Sequence, residues 1–109
     1  MGVPMKFTTL IPLTRNDGSK VSRNELAEIE ATFWMRFGGM TRDGVTIGNG
    51  ISPTTGRHHV HECLKVFVVC ENGRLAEAQE FVRRIGEQLG EEEMYFEVQY
   101  YDGPQFLKV

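Results

Sequence analysis

Three histidines fall within four positions, His58, His59 and His61, and Glu62 and Cys63 follow directly. Imidazole and thiolate are ligands that zinc favours, four together or three with a water. Imidazole beside carboxylate is equally a pairing that moves protons near neutral pH. The choice depends on which side chains share a face. Residues 58–70, HHVHECLKVFVVC, run into β-branched and aromatic types and read as a strand. Side chains alternate across a strand. One face takes His58, Val60, Glu62, Leu64, Val66, Val68 and Cys70. The other takes His59, His61, Cys63, Lys65, Phe67 and Val69. The first set is the more apolar and is assigned to the core. Lys65 agrees, since a buried unpaired lysine is costly.

His59, His61 and Cys63 then project together, neighbours standing about 7 Å apart, twice the rise per residue. Three readings are open. The trio could hold zinc with a fourth ligand, although it lacks the paired spacing of zinc fingers. His59, His61 and Glu62 could share acid–base work, with Glu62 turned toward the helix side near the sheet end. Alternatively Glu62 pairs with Arg42 or Arg57, and the histidines fill an open face or a contact between two copies. The structural reading is preferred, because so short a motif is only a hypothesis.

The rest of the chain supplies the frame. Residues 5–13 form a strand with Phe7, Thr9, Ile11 and Leu13 on one face and Pro12 at its end. Ser22 and Glu25 make an S-x-x-E capping box. Leu26, Ile29, Phe33 and Phe37 then recur at helical spacing, and Gly38-Gly39 stops the helix. Residues 40–51 read as an irregular strand, and 52–57 as a turn. A second helix follows from Leu75, Ala78, Val82, Ile85 and Leu89, ended by Gly90. Glu91, Glu92 and Glu93 read as a solvated linker. Residues 94–101 alternate as a strand, and 105–109 suit a short extra strand. The order is βαββαβ, the ferredoxin-like α+β plan, with one antiparallel sheet and two helices on one face.

That plan leaves one sheet face bare. Phe67, Val69, Tyr95 and Tyr101 fall on it, and exposed patches of this kind mark partner or ligand sites. The overall charge makes no case for nucleic acid, and none is expected as a partner: the formal net charge is −3 and the pI about 5.6, against a pI above about 9 for typical nucleic-acid domains. A homodimer through the open face is the simpler use. The glycine-rich stretch 37–44 offers Thr41 and Arg42 to an anion. However, it follows a helix, whereas phosphate loops precede one. Arg36, Arg42 and Arg57 together would suit an anionic signal nucleotide.

The 109 residues make one domain. Cys63 and Cys70 lie seven apart, on opposite faces, so they cannot bridge. Free cysteines suggest a reducing compartment. No apolar run approaches a membrane span, so a cytoplasmic protein is expected.

Several short motifs add a resemblance. FGGMT after the first helix, GRHHVHE leading into an apolar strand, and LGEEEMYFEV before the end resemble a family of small uncharacterised bacterial proteins with an F-G-G-x-T motif. The resemblance spans residues 6–98. It implies a ferredoxin-like fold and singles out Gly38, Gly39, Thr41 and Glu62 without assigning roles. Where that family has a G-Q-E-like approach to the last strand, this chain has Leu89-Gly90-Glu91. The expectation is a non-enzymatic dimeric module that binds a small molecule or a protein through the open sheet face. A small acid–base or metal-assisted enzyme of the dimeric α+β barrel kind, and an effector for an anionic nucleotide, are the alternatives. No cofactor fingerprint is present, and zinc is the one metal the residues suit.

Overall fold

Alternation along β1 (Pro4–Pro12) buries Met5, Phe7, Thr9 and Ile11 beneath the helices. These coordinates are a computed structural model and describe residues 2–109. Ser22 caps α1 (Arg23–Phe37): its Oγ accepts the Glu25 N–H at 3.1 Å. The return half of the capping box is diverted, because the Glu25 carboxylate takes Arg15 and Gln88 instead. Gly38 closes the helix at φ 84°, donating its N–H to the Trp34 carbonyl at 2.8 Å. Ile29, Phe33 and Phe37 are buried, and Trp34 stands half exposed beside them.

The chain returns through β2 (Thr41–Ile51) and β3 (His58–Glu71), which pair antiparallel with a bulge between Arg42 and Val45. Gly44 takes φ 89° inside that bulge. A single 3₁₀ turn leads into α2 (Leu75–Leu89), whose apolar side buries Ala78, Val82, Ile85 and Leu89. β4 (Phe96–Tyr100) completes the sheet in the order β2-β3-β1-β4, with every pair antiparallel. This is the ferredoxin-like α+β fold. Residues 105–109 form no strand, contrary to expectation. Phe106 and Leu107 are 91% and 80% exposed, so no apolar burial holds that segment against β4. No helix among the described residues is long and apolar enough to cross a membrane.

At the rim of the core, Arg42 grips the buried Glu30 of α1 through two hydrogen bonds, one of them Nε to Oε2 at 2.8 Å. A buried carboxylate needs such a partner. Arg42 is therefore committed to α1, and the expected pairing with Glu62 does not form.

The strand lengths shape the molecule. β1 pairs with β3 only as far as Pro12 opposite Cys63, whereas β2 continues to Ile51 opposite His58. The outer half of the β2–β3 hairpin therefore overruns both β1 and the helices. On its helix-side surface Val45, Ile47, Ile51 and Val60 are all well exposed. A set of exposed apolar residues thus lies here, on the side of the sheet opposite to the one the aromatic pattern marked. Phe67 on the open face is half-buried, with the Lys6 ammonium 4.4 Å from its ring centre.

Candidate functional site

β3 delivers His59, His61 and Cys63 to the open face, as the alternation predicts, where they stand opposite Gly50, Gly48 and Thr46 of β2. The glycine at 50 makes room for a ring. A Cβ there would stand 2.9 Å from His59 Cε1, closer than real contacts allow. His59 and His61 meet edge to face, with ring centres 4.7 Å apart.

A wall comes from the α2–β4 connection. Gly90 ends α2 at φ 73°, and the Glu91 N–H donates to the Gly86 carbonyl at 2.8 Å. Asn16 ties the turn down from the β1–α1 loop, donating to the Gly90 carbonyl at 3.1 Å. Met94 folds back onto Gly86, where a Cβ would lie 2.6 Å from Met94 Cγ. Glu92 then reaches the hairpin turn and accepts from Ser52 Oγ at 2.9 Å and Thr54 Oγ1 at 2.6 Å. Sheet, hairpin and connection line a broad cleft, open on one side, of about 880 Å³, inside the range of roughly 300–1,000 Å³ common for small-molecule sites.

Three polar atoms in its lining are shut off from solvent without a hydrogen-bond partner in the protein: His59 Nδ1, His61 Nε2 and Glu91 Oε1. Buried polar atoms are nearly always paired, so such an atom in a native fold calls for an explanation. Nearby, burial pushes the Cys63 thiol up from its ordinary range, and the Glu91 charge adds to this. Among the described residues no three His, Cys, Asp or Glu side chains are grouped to hold a metal ion.

The Thr54 and Ser52 hydroxyls hold Glu92 below the usual carboxylate range, and His59 contributes less. A carboxylate depressed by folding adds stability above its unfolded pKa of about 4.3. That contribution is lost as pH falls through the lower, folded value. The latch between hairpin and connection is therefore expected to hold at neutral pH and release in acid. NMR titration from about pH 6 to about pH 3 should shift the Thr54 and Thr55 amides with a midpoint below the unfolded Glu range. In Glu92→Gln that step should vanish.

The other expected residues are dispersed. Glu62 lies on the opposite face, exposed and paired with Ile47 across the hairpin, so it does not join His59 and His61. Arg57 and Tyr95 line the cavity. Thr41 stands opposite Phe67, away from it, and Tyr101 follows the far end of β4. Arg36 pairs with Glu77, and Arg42 with Glu30, so these two do not converge with Arg57. Glu91, which the charge run had marked as solvated, lines the same cavity as His59 and His61. Its one sequence signal is Gly86 in mid-helix, a residue that often marks a close approach.

No family model matches the chain, and no curated protein matches it. Solved structures do. A phage SAM lyase in complex with S-methyl-5'-thioadenosine superposes with a TM-score of 0.74 at 12% identity, covering 94% of this chain and 84% of the other. GlnK of B. subtilis in complex with ATP gives a TM-score of 0.58 at 16% identity, covering 93% and 84%. At these identities the likeness is one of fold.

Proposed function

We propose that the protein is a small-molecule-binding module whose ligand sits in the cavity between the β2–β3 hairpin and the α2–β4 connection. The observation that carries this reading is a cleft of ligand size whose lining includes His59, His61 and Glu91, each with a solvent-shielded polar atom that has no partner in the protein. The ligand proposed first carries an adenosine, because two structural neighbours were solved with S-methyl-5'-thioadenosine and with ATP. The same open face, which no helix covers, is proposed to join two copies around Phe67.

Calorimetry of the purified protein with adenosine, S-methyl-5'-thioadenosine and ATP tests the first part. At least one compound should bind with a Kd in the micromolar range, about −8 kcal/mol, and binding should fail in His59→Ala with His61→Ala. Silence across the whole set would remove the adenosine assignment. Native mass spectrometry of the same sample tests the second. A dimer that becomes a monomer in Phe67→Asp supports the shared face, whereas a monomer at every concentration rejects it.

A further inference from the structure

We propose that residues 105–109 of one copy of the chain dock on the overhanging half of the β2–β3 hairpin of a second copy. Phe106 and Leu107 would sit among Val45, Ile47, Ile51 and Val60, with Lys108 beside Glu62. This contact is separate from the one around Phe67, which lies on the other face of the sheet.

The overhang is the core surface continued past its cover. Val45 stands opposite the buried Leu64. From there outward Ile47, Val60 and Ile51 share the helix-side face and stay well exposed. Contiguous exposed apolar surface of this kind marks contact sites on soluble proteins. The chain carries a second set of exposed large apolar side chains, Phe106, Leu107 and Val109. Burying either set against the other removes apolar area from water on both sides, which is the main driving force of association.

The two sets cannot meet within one molecule. Gly103 lies against Pro4, where a Cβ would stand 3.0 Å from Pro4 Cγ. Pro4 pairs with Glu71, at the end of β3 away from the hairpin turn. From Glu71 back to Glu62, in the middle of the overhang, β3 runs for roughly 30 Å at the rise of a strand. Phe106 and Leu107 follow closely after Gly103 and reach at most about 14 Å beyond it. Only another molecule can cover the overhang, and this chain presents a segment of matching polarity to do so. Charge fits as well. Glu62 is exposed between Ile47 and Val60, and neither it nor Lys108 forms an ion pair among the described residues. Such a contact is heterologous: each copy gives one segment and receives another, and the assembly closes as a ring where the rotation allows.

Photo-cross-linking of the full chain tests this. With p-benzoylphenylalanine in place of Phe106, an exposed position whose side chain supports no part of the core, irradiation should give a covalent dimer. Peptide mapping should place the link within residues 45–51 or 58–62 of the second copy. Ile47→Asp, also at an exposed position, should lower the dimer yield at least about tenfold, because it sets a charge in the apolar contact. Lys108→Glu should lower it about two- to fivefold, the scale of an exposed ion pair, and adding Glu62→Lys should restore it. Links confined to the open face around Phe67, links only within one chain, no link at all, or a yield untouched by Ile47→Asp would overturn the contact. A charge swap without rescue would remove the ion pair from it.

Discussion

Replacing Phe33 by alanine is expected to cost about 3–5 kcal/mol of folding stability, the range for large aromatic truncations in a closed core. Phe33 is fully buried on α1. Its ring meets Phe81 of α2 edge-on, with centres 4.9 Å apart. Phe81 meets Phe37 at 5.3 Å, Phe37 meets Phe7 at 5.2 Å, and Phe7 stacks on Phe96 at 5.4 Å. The rings thus run without a break from both helices through β1 to β4. Removing one end member leaves a void flanked by rigid groups that cannot collapse into it. A domain of this size has about 5–15 kcal/mol of stability in all, so the loss would be a large share. Urea unfolding should show the midpoint falling with the slope unchanged. Trp34→Ala, on the same helix but at a half-exposed position, should cost far less. A Phe33→Ala loss no larger than that of Trp34→Ala would mean that the core does not depend on the aromatic chain.

The same rings explain why the fold was legible in the sequence. Phe33 and Phe37 recur at helical spacing and Phe7, Thr9 and Ile11 alternate, so each apolar stripe declared both its element and its buried side. Gly38 and Gly90 marked the helix ends, and both take the left-handed conformation expected of them. Face assignment along β3 followed from alternation alone and placed His59, His61 and Cys63 correctly.

The cavity was only half legible. Its sheet wall follows from strand parity, a local rule. Its other wall depends on where the α2–β4 connection lands, and landing is set by long-range geometry. Glu92 bonds to residues about forty positions earlier, and those bonds exist only because the hairpin overruns β1. No periodicity encodes that overhang. A run of three glutamates looks the same in sequence whether it is solvated or folded over a cavity. Arg42 shows the converse error: its partner is Glu30 on α1, twelve residues back, rather than a residue across the hairpin.

Gly50→Ala is expected to leave folding intact and to weaken ligand binding about a hundredfold, the scale set by a displacement of about 1 Å in a binding group. In a strand interior alanine is favoured over glycine by roughly 0.5–1 kcal/mol. The backbone at Gly50 does not oppose the change, since its φ is not among the positive values found in the chain. Local preference therefore argues that alanine should be welcome. The glycine is explained by what lies across from it. A methyl at this position would press on the His59 ring at 2.9 Å from Cε1 and 3.3 Å from Nε2. The ring must swing away, and it moves Nδ1, which is buried without a partner. It also breaks the edge-to-face contact with His61. Stability and binding are thus predicted to move in opposite directions, which a merely structural glycine would not produce. Thermal unfolding should give a midpoint equal to or above that of the unaltered protein, while calorimetry with the tightest ligand shows the loss. Gly48→Ala is the matched control. Its Cβ would find Cys63 Sγ at 3.7 Å, an ordinary contact, and it should bind within about twofold of the original, a change well below 1 kcal/mol. If both variants bind normally, His59 takes no part in the site, and the cavity must be read without it.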